Sequence, residues 1–291
     1  MSAVPTGALE SGAPAARNVQ IGHLLVEAGH LTHEQVDRVI FTQRKEGLLF
    51  GEAAMRLGLI DVQQIQRALL LQYSPFGIPD PDSGLDASLL AALDPFSKQA
   101  ESIRDLRSQL TLRWFGAGKK ILAVVGVNTG DGCSAIAANL AIAFAQLGER
   151  TVLMDANLRA PRVHELFGVD HGAGLSAVLA SRVSVKDAMT RVPALPGLML
   201  LPAGPRPPNP QELLSGVMFD YILETLPATS DVLIIDTPAL LSCADAQLIA
   251  AKTGACVMAV RRHKTPVGDI MRAADLLAPA GVTTLGAVLN D

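Results

Sequence analysis

Cysteine is scarce in this chain of 291 residues. Cys133, Cys243 and Cys256 are odd in number and far apart. That spacing supports neither a disulfide framework nor a zinc site, and it fits a reducing cytoplasm. Basic excess is also missing: the formal net charge is −4, which leaves no electrostatic case for nucleic-acid binding. No apolar run approaches the roughly 18 residues of a membrane span. The opening segment, MSAVPTGALESGAPAAR, lacks the basic start and apolar core of a signal peptide. Its Gly, Pro, Ala and Ser content predicts a disordered lead-in over residues 1–19. Tyrosine is nearly absent, with only Tyr73 and Tyr221.

Hydrophobic residues, in contrast, make up 49% of the chain, enough to bury a sizeable core. An internal repeat occupies residues 20–73. Gly22, Gly29, Leu31, Val36 and Gln43 recur at an offset of 29 as Gly51, Gly58, Ile60, Ile65 and Gln72. Each unit reads as two short helices. The first ends at a glycine suited to a left-handed cap. The second starts at Thr32, with Gln35 completing a capping box, or at the matching Asp61. Neither unit can bury its apolar stripe alone, so the two are expected to pack as one small all-α module. His23, His30 and His33 are close in sequence, but helix breaks between them spoil a common face, and they read as surface residues. Residues 74–97, rich in Pro, Asp and Ser, read as a linker with at most one short helix near 87–93.

A helix is expected from about Lys98 to Trp114, carrying Glu101, Arg104 and Arg107 along one face. From Lys120 onward, apolar strands alternate with helices. This predicts an α/β domain over 98–291, with a mostly parallel sheet and helices on both faces. Its central stretch is VVGVNTGDGCSAIAANL, a strand running through Gly126, Gly130 and Gly132 into a helix beginning near Ser134. Glycine turns of this kind aim backbone N–H groups at an anion, and the helix dipole adds positive potential. Thr129, Gly130, Asp131, Gly132, Cys133, Ser134 and Ala135 are therefore candidate phosphate-binding residues. Two strand-end carboxylates, Asp155 and Asp236, can serve a magnesium ion together with Ser134. Taken singly, each of these acids has an ordinary strand-end turn as its less favoured reading. Ligands in such sheets bind beyond the carboxyl ends of the strands, which collects Cys133, Asp155, Asp236 and Asn290.

Residues 98–291 resemble the bacterial tyrosine kinases (BY-kinases) of polysaccharide export, relatives of the MinD/ParA ATPases with a P-loop NTPase fold. The resemblance rests on the glycine loop, on DANLRAPRVHELFG, on IIDTP, on LPAGPRPPNPQELL and on LGAVLN. The arrangement looks like the EpsG type, which works beside a separate membrane-embedded protein that sets chain length. The repeat module resembles the N-terminal domain of type II secretion and type IV pilus ATPases. There it implies protein docking, with cyclic dinucleotide binding as the alternative; Gln20 and Leu49 stand where cyclic-dinucleotide-binding members have arginine. For the larger domain, the resemblance implies ATP or ADP with Mg2+ and Asp155 and Asp236 as the catalytic acids serving the metal. It further implies Asn290 contacting adenine, and Glu101, Arg104 and Arg107 contacting a second subunit in a homo-oligomer. It places the protein in the cytoplasm, at the inner face of the membrane through its partner.

Two departures fall on the chemistry. Cys133 replaces the loop lysine, and Asn157 replaces the second acid of the Asp-x-Asp motif. A cation at the β- and γ-phosphates is a main term in phosphoryl transfer. An Asn can neither accept a proton nor lend charge to a metal. Cys133 at a helix N-terminus is expected to have a lowered pKa and to be redox-sensitive. Arg159, or an arginine from a neighbouring subunit, could supply the missing cation. Tyr221 is expected in a core, which leaves Tyr73 or another protein as a phosphorylation target. The expected function is a nucleotide-binding, kinase-like protein of exopolysaccharide synthesis with degraded tyrosine kinase chemistry. The alternatives are a catalytically inactive scaffold and a MinD/ParA-type ATPase, although none of Val127–Asp131 is the additional signature lysine of the latter.

Overall fold

The structure is a computed structural model that describes residues 21–62, 64, 65, 68, 79 and 83–291. The lead-in, Gln20, Gln72, Tyr73 and part of the expected linker lie outside the described residues. The chain divides into two compact units, Met1–Ile78 and Pro79–Asp291.

In the first unit, helices α1 (Ile21–Glu27), α2 (His33–Glu46) and α3 (Phe50–Arg56) follow the repeat, and Val62, Gln64, Ile65 and Ala68 are also helical. Both capping boxes form. Gln35 N–H donates to Thr32 Oγ1 at 3.2 Å and Gln64 N–H to Asp61 Oδ1 at 2.8 Å, each with the reciprocal side-chain bond. Gly29 and Gly58 take left-handed φ values of 71° and 65° at equivalent places. The repeat also has a packing meaning. A Cβ on Gly22 would lie 3.2 Å from Val36, and one on Gly51 3.2 Å from Ile65, the same pair one repeat on. Leu25, Leu31, Val39, Ala53, Ala54, Ile60, Ile65 and Ala68 form the core of this unit. His23 lies beside Glu27, and His30 meets Gln64.

In the second unit, the expected linker is only partly a linker. Leu89, Ala91 and Ala92 are buried, and α4 (Leu90–Leu93) sits on the sheet domain. The reason is a distant amide. Asn139 Oδ1 accepts from Ala91 N–H, and its Nδ2 donates to the Ser88 carbonyl, both at 2.8 Å. Helix α5 (Lys98–Arg113) follows, capped by Ser97. The seven strands are β1 (Ile121–Gly126), β2 (Thr151–Asp155), β3 (Thr190–Arg191), β4 (Leu198–Leu201), β5 (Val232–Asp236), β6 (Ala255–Arg261) and β7 (Thr283–Asn290). They lie in the order β3-β4-β2-β5-β1-β6-β7, and all neighbours are parallel except β3 with β4.

Continuous apolar runs such as Leu122–Val125 suit strands covered on both faces. Ala123 and Val125 enter one core with Met154 and Ile235, while Leu122 and Val124 enter the other with Leu153 and Ile234. Helix α6 (Cys133–Gln146) is buried continuously from Ile136 to Ala145, and its run of alanines lets it lie close to the strands. The helix Val185–Ala188 is followed by a turn back into antiparallel β3. One expectation fails. Tyr221 is 54% exposed: α7 (Val217–Thr229) buries Phe219, Ile222, Leu223 and Leu226, and Tyr221 falls off that stripe.

Candidate functional site

The glycine loop runs from the end of β1 to the start of α6. Gly130 and Gly132 have φ of 91° and 85°. A Cβ on Gly132 would also stand 2.1 Å from Asn290 Nδ2, so both conformation and space require glycine there. Asp131 holds the turn. Its carboxylate accepts from Asn128 N–H and Thr265 Oγ1, each at 2.8 Å, while its carbonyl accepts from Asn290 Nδ2 at 3.2 Å. Asn128 Nδ2 reaches Asp269 at 2.9 Å. The loop is thus latched to the segment after β6. That latch was not legible locally, since Thr265 lies 134 residues from Asp131.

β2 and β5 are adjacent, and their register sets Asp155 directly opposite Asp236. Both are fully buried. Asp155 accepts backbone N–H bonds from Asn157, Arg162 and Val163, all at 3.0 Å. Asp236 accepts none: both its oxygens are buried without a partner among the described residues. Burial first, and then the Asp155 charge, push the Asp236 carboxyl up to about 7; nearby Ser134 and Cys133 oppose this less strongly. Burial likewise raises Asp155, against its three backbone bonds.

Cys133 corrects its expectation. Its sulfur turns inward and donates to the Val124 carbonyl at 3.1 Å. Burial and then the Asp236 carboxylate raise its pKa well above the ordinary thiol value. The helix dipole argument fails because the side chain faces a buried acid instead of the N-terminal amides. A low-pKa, redox-sensitive thiol is therefore not what this position holds. Arg159 is likewise committed elsewhere: its Nε and Nη2 grip the two oxygens of Asp245 at 2.7 and 3.0 Å, and Asp245 is 1% exposed. Asn157 closes its own turn, with Oδ1 accepting from Ala160 N–H at 3.1 Å.

A cavity of about 460 Å3 opens over the loop. Thr129 to Ala135 line it, as do Asn157, Arg159, Thr237 and Pro238. Asp86, Ser88, Arg162, Ser242 and Cys243 also line it, and the sequence offered no signal for them beyond proximity to the two acids or to the linker. Asn290 is not in the lining; its amide lies against the loop. Lys120, at the opposite end of β1, donates to the Pro227 and Ser230 carbonyls. A larger groove of about 740 Å3 runs along α7 by Met189 and Tyr221, but no carboxylate or glycine turn lines it. Of the residues read as a subunit contact, Arg104 pairs with Glu101, and Arg107 donates to the Ala143 carbonyl at 2.9 Å, all within this chain. Among the described residues, no helix is long and apolar enough to cross a membrane.

The residues fit a magnesium ion: Ser134 lines the cavity with the glycine turn, and Asp236, unpartnered among the described residues, stands next to Ser134, although neither Asp236 nor Asp155 is in the lining itself. Comparison with known proteins agrees with this layout. A family profile described as "Cellulose biosynthesis protein BcsQ" matches residues 119–269. Tyrosine-protein kinase YwqD of Bacillus subtilis is 33% identical over 72% of this chain and 87% of its own length. The putative tyrosine-protein kinase CapB of Staphylococcus aureus is 33% identical over 67% of this chain and 86% of its own. In contrast, the match spans only 27% of the putative tyrosine-protein kinase EpsB of Ralstonia nicotianae. Among solved structures, the chimerical protein CapA2B2 aligns with a TM-score of 0.67 and 31% identity, covering 73% of this chain and 91% of that one. The kinase domain of Escherichia coli tyrosine kinase ETK aligns with a TM-score of 0.67 and 29% identity, covering 69% and 79%. MinD of Pyrococcus horikoshii, at 22% identity and a TM-score of 0.51 over 59% of this chain and 70% of its own, shares the fold. By its fold, its phosphate loop and these relatives, the chain belongs to the bacterial tyrosine-protein kinase family of polysaccharide export.

Proposed function

We propose that this protein acts in exopolysaccharide synthesis, export and chain-length control as a kinase-like subunit. It binds ATP or ADP with magnesium, and its tyrosine kinase chemistry is degraded. One observation carries the reading: the Asp236 carboxylate is fully buried, without a hydrogen-bond partner among the described residues, next to Ser134 at the glycine turn. A carboxylate left unsatisfied in that way is destabilising unless a ligand uses it. Ser134, Asp236 and Asp155 would hold the magnesium ion, which when bound neutralises charge on the phosphates. The loop amides orient the phosphates, and the Asp131 latch keeps those amides in place. Asn290 is assigned to the adenine side through its position on the loop.

Cys133 and Asn157 support the loss of kinase chemistry. Losing one preorganised charge-stabilising donor lowers rates by about 10²–10³. The same two residues favour the second reading, a catalytically inactive scaffold of the export complex. In either case the partner is a membrane-embedded polysaccharide chain-length or export protein, which keeps this protein at the inner face of the membrane. Homo-oligomer contacts are assigned to the Glu101, Arg104 and Arg107 face, and partner docking to the repeat module. Cyclic dinucleotide binding remains that module's alternative. A MinD/ParA-type ATPase has less support, since no lysine lies in Val127–Asp131.

Titration calorimetry of the whole protein at about 100 μM with Mg-ADP tests the reading, with binding expected in the micromolar to millimolar range. Absence of heat at that concentration overturns it and leaves the scaffold.

A further inference from the structure

The loop has lost its lysine, yet the cavity is not without cations. Two arginines line it, Arg159 and Arg162. Their situations differ. Arg159 is locked on Asp245 by two bonds, and moving it onto a phosphate would strand a buried carboxylate. The Arg162 side chain is exposed, and its guanidinium makes no hydrogen bond or ion pair among the described residues. The two carboxylates that line the cavity make their hydrogen bonds to other groups. Asp86 takes the N–H and hydroxyl of Ser88, and Asp131 takes Asn128 and Thr265. Asp86 feels the Arg162 charge at a distance, but among the described residues no carboxylate pairs directly with the guanidinium.

The backbone of Arg162 is fixed where its side chain is free. Its N–H donates to Asp155 Oδ2 at 3.0 Å, and the next N–H, of Val163, does the same. The acid that anchors this turn faces Asp236 across the sheet register. Arg162 is thus tethered beside the acid pair, lines the same cavity as Gly132 and Ser134, and carries an uncommitted planar fork of donors. Such a fork suits two phosphate oxygens at once. A cation contributed by another element can serve transferred phosphoryl groups, as arginine fingers do.

We propose that Arg162 is the phosphate-binding cation of this site and stands in for the missing loop lysine, engaging the outer phosphate of a nucleoside di- or triphosphate. This rests on the nucleotide reading above and deepens it. It also separates the two arginines: Arg162 serves the ligand and Arg159 serves the fold.

The test measures Mg-ADP and Mg-ATP affinity by calorimetry for the wild type, Arg162→Ala, Arg162→Lys and Arg159→Ala, with thermal melts of each. Arg162→Ala is expected to weaken binding about 10- to 100-fold, more for Mg-ATP than for Mg-ADP, at an unchanged melting temperature. Arg162→Lys should recover part of the loss. Arg159→Ala should lower the melting temperature instead. Cys133→Lys placed in the Arg162→Ala background should restore binding while adding little to the wild type. Wild-type binding with Arg162→Ala within twofold of it overturns the assignment and leaves the nucleotide reading standing. No wild-type binding overturns both.

Discussion

Asp155 and Asp236 end neighbouring strands at the same register, and both are fully buried. Their surroundings are opposite. Three backbone N–H groups converge on Asp155 and tie down the turn that carries Asn157, Arg162 and Val163. Among the described residues, no hydrogen bond reaches the Asp236 carboxylate. Burial opposes the charge of each, but only Asp155 is compensated by the fold. Two carboxylates that look alike in the sequence therefore have different duties. Asp155, besides its proposed share in the metal, ties down the turn that carries the lining residues Asn157 and Arg162, whereas Asp236 is left open to a ligand.

The largest expected effect separates these duties by sign. Asp155→Ala leaves three buried N–H groups without an acceptor. It should lower stability in urea by about 4 kcal/mol, since each unsatisfied buried donor costs about 1–3 kcal/mol and removal of the buried charge returns part of that. A loss below 1 kcal/mol would put the two acids in one class.

Asp236→Asn should act the other way. The folded-state pKa of Asp236, about 7, lies above the ordinary carboxylate value. Its stabilising contribution is thus fully present below about pH 4 and is lost as pH rises through about 7. Without magnesium, the wild type should lose stability between pH 5 and pH 8. Asp236→Asn should flatten that slope and gain about 2–4 kcal/mol at pH 8. The same variant should abolish the stabilisation produced by Mg-ADP. Parallel pH profiles for the two proteins would refute an uncompensated Asp236.

The repeat module and the strands were legible because their signals are local. Thr32 and Gln35, or Asp61 and Gln64, are three residues apart, and an all-apolar run needs no distant partner to read as a buried strand. The glycine loop was legible for the same reason. What escaped depends on remote groups. The second half of the expected linker is held by Asn139, 48 residues from Ala91. Arg159 looked available because its partner Asp245 lies 86 residues away. Tyr221 was read as core from an apolar helix whose buried stripe passes on either side of it, at Phe219 and Ile222. Arg162 gave no signal, because its importance rests on what does not bind it.

Cys133 extends the contrast between the acids to a third group and gives the smallest expected effect. A helix N-terminus lowers a thiol pKa only when the sulfur faces the amides, and this sulfur faces the Val124 carbonyl and Asp236. Burial is the larger cause of its raised pKa and stays in place when Asp236 becomes neutral. Asp236→Asn should therefore speed alkylation of Cys133 at pH 8, but by less than about tenfold, the size of a charge–charge effect of about 1.4 kcal/mol. Iodoacetamide labelling followed by peptide mass spectrometry reads Cys133 and Cys243 in one sample, so Cys243 normalises the rate. An unchanged Cys133 rate would mean that Asp236 carries little charge at that pH. Its vacancy would then be kept by a proton and not by a waiting cation.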